Sequence, residues 1–174
     1  GNILALVNYP IFNPNNTAKL NIEATRNKAI AETYEPGSVI KVFLALAALE
    51  EGLVTPDELI DCQNTRFTHI DKIPVSTWKA CGNVPFDEVI AKSNNIGVVI
   101  VSKRLGSLLY DHYKKVGFGQ KTNIQLPGEQ EGFINPPENW SAYSLRSLSF
   151  GYEITMSLLQ LVRAFSVISN DGHM

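Results

Sequence analysis

The sequence predicts an α/β fold in which one strand opens the chain and helices make up most of the rest. The opening stretch NILALVNYP has the apolar density and the closing proline of a buried strand. The segment from Ser38 to Glu51 is apolar nearly all the way round and precedes Gly52, as in a helix buried in a core. Further stretches with helical periodicity follow Pro85. We therefore expect a helical body and a single strand that must find a partner.

Length, charge and apolar content limit the kinds of protein that the chain can be. At 174 residues it is long enough for one domain with a sizeable core. The net charge of −2 and the scattered lysines and arginines provide no basic surface, so no nucleic acid is expected as a partner. The longest apolar runs, VFLALAAL and IGVVIV, are far shorter than the roughly 20 residues that span a bilayer, which predicts a soluble segment. The chain starts at Gly1, so a targeting segment could precede it.

The other elements follow in order along the chain. Residues 1–37 are expected to hold the opening strand and a loop rich in turn residues. Residues 61–83 indicate irregular or short-strand structure, with proline and glycine at its turns. Helices are expected in PFDEVIAKS, NIGVVIVSKRLG and SLLYDHYKKVG. Residues 118–140 are rich in glycine and proline and predict a long loop, and TMSLLQLVRAFSVISNDG predicts a final helix.

A hydroxyl and an amine stand at the start of the apolar helix, in the stretch YEPGSVIK. Pro36 and Gly37 form a turn that delivers Ser38 to the first helical turn, where unpaired N–H groups favour negative charge on an oxygen. Lys41 lies three residues on and on the same face, so its amine can approach the hydroxyl. Apolar surroundings and the positive helix end both favour the neutral amine that a general base must be. The pair therefore fits a nucleophile and its base.

A purely structural interpretation of this pair stays open. Helices often start with a capping serine, and a lysine often lays its stem along apolar side chains. The same S-x-x-K spacing also occurs at Ser76 and Lys79. That copy lies between Pro74 and Gly82 with no apolar helix behind it, so nothing would desolvate its lysine. We interpret the second copy as chance.

A second polar motif, in AKSNNIGVV, places Ser93 and Asn95 in a bend between two helical segments. Alone this S-x-N pattern would be a helix cap. Together with YEPGSVIK, and with co-linear flanks such as RNKAIAETYEPGSVIKVFLALAALEEGLVTPDE and FGQKTNIQLPGEQEG, it makes the chain resemble the penicillin-binding proteins. These are serine transpeptidases of bacterial cell-wall synthesis. The resemblance is to their monofunctional (class B), high-molecular-mass members, and it covers nearly the whole chain.

The resemblance implies a fold and a role for each motif residue. The fold would be β-lactamase/transpeptidase-like, of which this chain carries the opening strand and mostly the helical part. Ser38 would be the acylated nucleophile and Lys41 its general base. Ser93 would relay a proton towards the leaving amine, and Asn95 would hydrogen bond to Lys41 and to the substrate amide. No metal or organic cofactor is implied, because a hydroxyl, an amine and backbone donors suffice for acyl transfer.

Substrate and setting are also implied by the resemblance. Peptidoglycan stem peptides ending in D-Ala-D-Ala would acylate the serine, and β-lactams would mimic that dipeptide and stay attached. The parent protein would be anchored in the bacterial cytoplasmic membrane, with this domain on the outer (periplasmic or extracytoplasmic) face. There it would work with a glycosyltransferase and other cell-wall synthesis proteins. In an oxidising compartment of that kind, a disulfide between Cys62 and Cys81 becomes an option.

One motif of the family is missing from the sequence. The family carries Lys-Thr-Gly or Lys-Ser-Gly on an edge strand beyond the final helix, and the chain stops at Met174 before it. Lys121-Thr122-Asn123 imitates this motif but has asparagine in place of glycine and lies in the long loop. We therefore expect residues 1–174 to be an incomplete transpeptidase domain that lacks the C-terminal sheet strands. Its nucleophile helix and helical subdomain would occupy residues 38–174, and the isolated piece would be inactive or severely impaired.

Two other functions remain open at the level of sequence. A β-lactamase or β-lactam sensor of the same fold would share Ser38 and Lys41. Rapid turnover of the acyl-enzyme would indicate that alternative, whereas Asn95 and the long flanks favour a transpeptidase. The other alternative is a non-catalytic scaffold, which should lack the Lys-Thr/Ser-Gly motif in the rest of the protein.

Overall fold

The computed structural model describes residues 2–16, 18 and 20–173, which form eight helices, two 3₁₀ turns and six short strands. The helices are α1 (Ile22–Thr25), α2 (Lys28–Ala31), α3 (Lys41–Glu50), α4 (Phe86–Ala91), α5 (Asn95–Leu105), α6 (Leu108–Lys115), α7 (Ser144–Phe150) and α8 (Leu158–Ser169). The strands are β1 (Leu59–Asp61), β2 (Phe67–Ile70), β3 (Ile73–Ser76), β4 (Asn83–Pro85), β5 (Phe133–Ile134) and β6 (Ile154–Thr155). The 3₁₀ turns cover Gly37–Ile40 and Pro137–Asn139.

Helix α3 lies in the core, as its apolar sequence predicts. Phe43, Leu44 and Ala48 are buried. The helix ends at Glu50, and Gly52, two residues on, has a φ of +65° that reverses the chain so that Leu53 N–H can donate to the Ala48 carbonyl. Its start differs from the prediction in one respect. Gly37–Ile40 form a 3₁₀ turn, as is frequent at helix N-termini, so the α-helix begins at Lys41 and not at Ser38.

Helix α5 is the second element of the core and packs against both α3 and α7. Its N-terminus is capped by Asn94, whose side chain accepts a hydrogen bond from Gly97 N–H at 3.0 Å. Gly97 also lets α4 approach closely, because a Cβ at this position would lie 2.6 Å from Cγ1 of Val89. The apolar residues of α5 are buried along most of its length, so the helix holds the preceding turn in place.

The strands pair as three antiparallel ribbons of two strands each: β1 with β4, β2 with β3, and β5 with β6. The first two ribbons lie within and beside residues 61–83, so the predicted short-strand structure there is confirmed. Cys62 and Cys81 are buried free thiols near the end of the β1–β4 ribbon. Burial, together with the neighbouring Cys81, raises the pKa of the Cys62 thiol to about 11, so this thiol stays neutral.

The predicted opening strand is wrong for the described part of that segment, residues 2–9, which are assigned to no strand. A strand exists through hydrogen bonds to a neighbour, and none of the six strands of the described chain lies along this segment. Asn8 ties it to the rest of the chain instead, since its side chain accepts from Lys28 N–H at 2.7 Å and donates to Asn27 at 3.0 Å.

The C-terminal helix α8 is confirmed and begins with a capping box. The Ser157 side chain accepts from Gln160 N–H at 3.2 Å, and the Gln160 side chain accepts from Ser157 N–H at 2.7 Å. One face of α8 packs inward through Ala164 and Val167, while Phe165 remains partly exposed. Within residues 2–16, 18 and 20–173, every helix is too short or too polar to cross a bilayer.

Candidate active site

Three of the four predicted site residues meet where the start of α3 faces the turn before α5. The Lys41 ammonium donates hydrogen bonds to the Ser93 carbonyl at 2.9 Å, to Ser93 Oγ at 2.9 Å and to Asn95 Oδ1 at 2.5 Å. An ammonium has three protons, so these three acceptors complete its hydrogen bonding. The S-x-x-K lysine and the S-x-N motif, 52 residues apart, therefore form one polar cluster.

The backbone of the turn between α4 and α5 points Ser93 at the lysine. Ser93 has a φ of +50°, in the left-handed region that serine rarely adopts. This conformation is held by neighbouring bonds, because Ser93 N–H donates to the Ile90 carbonyl and Asn94 N–H to the Val89 carbonyl, both at 2.9 Å. As a result, the carbonyl and the hydroxyl of one residue both reach Lys41.

Asn95 is oriented by strand β3 and the residue after it. Its Nδ2 donates to the Ser76 carbonyl at 2.7 Å, and its backbone N–H donates to Thr77 Oγ1 at 3.3 Å. With the amide nitrogen used in this way, the amide oxygen faces Lys41. The second S-x-x-K copy therefore contacts the site through the backbone carbonyl of Ser76 and not through the Ser76 hydroxyl. Ser76 and Lys79 are both exposed, so burial does not favour a neutral Lys79.

The environment of Lys41 favours loss of its proton. The side chain is 2% exposed, and burial lowers its pKa to about 8. The nearest aromatic ring, Phe150, has its centroid 5.7 Å from Nζ. No carboxylate among the described residues forms an ion pair with this amine. At a pH close to 8, about half of the Lys41 side chains are therefore neutral.

Ser38 lies apart from this cluster by one helical turn. It is exposed in the Gly37–Ile40 turn, and its carbonyl accepts a hydrogen bond from Lys41 N–H. Ser38 Oγ has no hydrogen-bond partner in the described part of the chain, so the structure does not join the Ser38 hydroxyl to the Lys41 amine directly. Ser38 is exposed to solvent, whereas Lys41 is buried.

The turn that carries Ser38 is braced by a segment that does not stand out in the sequence. Gly151, at the end of α7, lies so close to Gly37 that a Cβ on Gly151 would be 2.3 Å from the Gly37 carbonyl oxygen. Tyr34 and Met156 exchange backbone hydrogen bonds of 3.0 Å in both directions. The sequence signal that could have indicated this brace is a glycine that ends a short helix, in SLSFGYE.

The imitation of the third motif, Lys121-Thr122-Asn123, belongs to a loop and is assigned to no strand. Its backbone is held by Glu129, whose carboxylate accepts from Thr122 N–H at 2.6 Å and from Asn123 N–H at 3.2 Å. The Thr122 hydroxyl also bonds to this carboxylate. These contacts stabilise the loop itself.

A family model described as penicillin-binding protein transpeptidase domain matches residues 1–174. Among curated proteins, penicillin-binding protein PbpB of Mycolicibacterium smegmatis is 34% identical over 178 residues, which is 99% of this chain and 27% of the relative. The peptidoglycan D,D-transpeptidase FtsI of Buchnera aphidicola is 34% identical over 173 residues, 99% of this chain and 30% of the relative. The chain thus spans less than a third of the length of these relatives.

Solved structures show the same similarity. A peptidoglycan glycosyltransferase from Burkholderia ambifaria aligns with a TM-score of 0.82 and 30% identity, covering 89% of this chain and 49% of the solved one. Penicillin-binding protein 3 of Mycobacterium tuberculosis in complex with aztreonam aligns with a TM-score of 0.76 and 34% identity, covering 84% and 33%. Each solved chain therefore contains the described architecture within a larger whole.

Proposed function

The chain belongs to the penicillin-binding protein transpeptidase domain family, and we propose that the protein carrying it is a peptidoglycan D,D-transpeptidase that works through an acyl-serine on Ser38. The observation that carries the proposal is the buried Lys41, with its pKa lowered to about 8, one turn from an exposed serine. Ser93 and Asn95 hold this amine in place. The substrate would be the D-Ala-D-Ala end of a stem peptide, outside the cytoplasmic membrane where peptidoglycan is cross-linked.

In the first half-reaction, Ser38 Oγ attacks the carbonyl carbon of the penultimate D-Ala, and its proton moves to the neutral Lys41 amine. The carbon–nitrogen bond to the terminal D-Ala then breaks. The departing nitrogen receives a proton from Lys41 by way of the Ser93 hydroxyl, and the stem remains as an ester on the serine. In the second half-reaction, an amine of another stem attacks this ester carbon. It forms the new amide bond and releases Ser38 Oγ, which regains a proton.

The three hydrogen bonds of Lys41 explain how the base would be released for this chemistry. They match the ammonium form, which donates three protons to Ser93 and Asn95. A neutral amine has only two protons, so one contact must be given up and a lone pair becomes available. If the bonds to the Ser93 carbonyl and Asn95 Oδ1 are kept and the bond to Ser93 Oγ is given up, the lone pair is free for the Ser38 proton, and the Ser93 hydroxyl, which both donates and accepts, can then carry a proton from the ammonium to the leaving nitrogen. The cluster is thus suited to moving a proton without a change of backbone.

The proposal is tested by finding where a β-lactam attaches, since the aztreonam complex of the related M. tuberculosis protein makes this class a reasonable probe. A labelled β-lactam added to the full-length protein should modify one peptide, the one that contains Ser38, and Ser38→Ala should abolish the labelling. Ser107→Ala is a matched control, because Ser107 is also exposed at a helix start and its side chain makes no capping bond. Each change should cost less than about 1 kcal/mol of stability. Labelling that survives in Ser38→Ala would refute the assignment.

A further inference from the structure

The β2–β3 ribbon presents an exposed aromatic face next to the candidate site. Exposure alternates along it: Val75 and Thr77 are buried, whereas Ser76 and Trp78 are exposed, and Phe67 pairs directly with Ser76. Because successive side chains of a strand point to opposite faces and directly paired residues share a face, Phe67 and Ser76 lie on one face together with the pair of His69 and the half-buried Pro74. Trp78 is exposed beside this face, in a bend two residues beyond the end of β3. We call these residues together the aromatic face, and it consists of Phe67, His69, Pro74, Ser76 and Trp78.

The aromatic face is continuous with the catalytic cluster. Ser76, a member of the face, accepts a hydrogen bond through its carbonyl from Asn95 Nδ2 at 2.7 Å. The Trp78 indole N–H donates to the Lys92 carbonyl at 2.8 Å, one residue before Ser93. Ser76 and Trp78 therefore contact the residues on either side of Ser93 and its neighbour Asn94.

The rings on this face are large, exposed and held in place. Phe67 is 56% exposed and Trp78 is 65% exposed. Phe67 and His69 stack edge to face, with ring centroids 5.1 Å apart at an interplanar angle of 85°. The indole is fixed by its hydrogen bond to Lys92. Rings that are already oriented lose little conformational entropy when a ligand binds, which favours a binding role over chance exposure.

The composition of the face indicates the ligand. No carboxylate, ammonium or guanidinium group occurs at its five positions, which instead carry three aromatic rings, a proline and a hydroxyl. Such a surface suits an uncharged ligand with apolar C–H faces and a polar rim, and sugar rings have this character. The four residue steps from Pro74 to Trp78, two of them beyond the end of β3, span at most roughly 13 Å, which is longer than one sugar ring.

We propose that the aromatic face binds the glycan strand of peptidoglycan, with sugar rings packed on Trp78 and Phe67. The proposal rests on the proposed function, because the stem peptide that acylates Ser38 hangs from such a strand. A glycan bound on the ribbon would present its stem to Ser38 across Asn95. The face would thus add affinity for a stem that is attached to its glycan strand. A free stem peptide has no sugar rings and would not gain this affinity.

The test measures binding without chemistry. Glycan strands are freed of their stems by an amidase, and the lactyl carboxylates that this exposes are capped as amides, so that the probe is uncharged at these positions as stem-bearing strands are. The capped strands are titrated into the full-length protein carrying Ser38→Ala, which cannot be acylated. Trp78→Ala and Phe67→Ala, each added to that background, should weaken binding about tenfold, and Trp78→Phe should weaken it less because a ring remains. Phe133→Ala is the matched control, since Phe133 is 52% exposed on another two-stranded ribbon and should leave the dissociation constant unchanged. Thermal unfolding verifies that every variant is folded.

The outcomes separate this proposal from the proposed function. If stem-free strands do not bind, or bind equally well to Trp78→Ala and Phe67→Ala, the glycan surface is refuted, whatever the result with a β-lactam. If free stem peptide needs Trp78 and stem-free glycan does not bind, the face recognises peptide and the proposal is wrong. If the wild-type protein binds glycan through Trp78 but a labelled β-lactam does not modify Ser38, the glycan surface stands and the acyl-serine function fails.

Discussion

The protonation of Lys41 controls the candidate chemistry at the scale of single residues. Its amine is buried, its three hydrogen bonds go to uncharged acceptors, and its pKa is lowered to about 8. Uncharged acceptors orient the amine without adding a negative charge that would hold the proton. The cluster can therefore place a base accurately and still release its proton close to neutral pH.

The rate of acylation by a β-lactam should rise with pH and reach half of its maximum near pH 8, because the neutral form of Lys41 increases as the pH passes its pKa. Lys41→Arg should lose nearly all acylation at every pH, since a guanidinium stays protonated. Both are measured as second-order acylation rates over a pH series, with Lys79→Arg as the exposed-lysine control. A profile of the wild-type protein that is flat through pH 8 would assign the base to another group.

Asn95→Asp provides a second test of the same cluster. The new carboxylate would replace Asn95 Oδ1, which lies 2.5 Å from Lys41 Nζ, and an opposite charge at that distance favours the ammonium. The pKa of Lys41 should rise by about 1 unit or more, so the midpoint of the acylation profile should move to higher pH. Asn95→Ala removes the contact without adding charge and should not move the midpoint upward. An unchanged midpoint in Asn95→Asp would show that this contact does not govern the base.

Local spacing was sufficient to identify the residues of the cluster but not the partners that orient them. Lys41, Ser93 and Asn95 belong to short motifs whose chemistry is recognisable from neighbouring residues. By contrast, Ser76 and Gly151 take part through their backbones, which any residue type possesses. Their contacts join segments far apart in the chain, and no periodicity records such a contact.

At the scale of elements, the longer helices and the two ribbons around residues 61–83 were predictable, whereas the short helices α1 and α2 and the β5–β6 ribbon were not. Helices α3, α5 and α8 satisfy their own hydrogen bonds, so an apolar pattern and a terminal cap are enough to indicate them. A strand needs a partner, and the apolar opening segment has none among the described residues. Helix α7 was missed because it has only seven residues and follows a long loop rich in glycine and proline.

The contact between α7 and the turn before Ser38 gives a prediction at this scale. In Gly151→Ala the new Cβ would lie 2.3 Å from the Gly37 carbonyl oxygen, so the turn carrying the nucleophile must shift. We expect acylation to slow by about tenfold or more, because a misplaced nucleophile loses its orientation. Gly128→Ala is the control, since Gly128 has a similar φ of +85° against +82° for Gly151 and open space around it.

Both glycine variants should share the cost of a left-handed alanine, about 1 to 2 kcal/mol in the free energy of unfolding. The rate constant of acylation at saturating β-lactam should fall in Gly151→Ala but not in Gly128→Ala. The dissociation constant of the initial complex should change little. Equal acylation in the two variants would mean that the contact with Gly37 does not position Ser38.

At the scale of the whole molecule, the resemblance inferred from two short motifs and their flanks is confirmed. The family model extends over residues 1–174, and the solved penicillin-binding protein 3 of M. tuberculosis shares the fold at a TM-score of 0.76. Short motifs could reveal the family because each combines particular residue types at a fixed spacing. The packing around them has no such fixed spacing, so the sequence left its details open.

An aromatic cluster joins helix α3 to the C-terminal helix α8. Phe43, two residues after Lys41, contacts Phe118 and Phe165 edge on, with ring centroids 5.0 Å and 4.9 Å away. Phe43→Ala should leave a cavity between α3 and α8 and lower the free energy of unfolding by about 3 to 5 kcal/mol. Denaturant titration of the full-length protein measures this, and Phe133→Ala, an exposed phenylalanine, should change stability by no more than about 0.5 kcal/mol. A loss below about 1 kcal/mol in Phe43→Ala would mean that the three rings do not hold the two helices together.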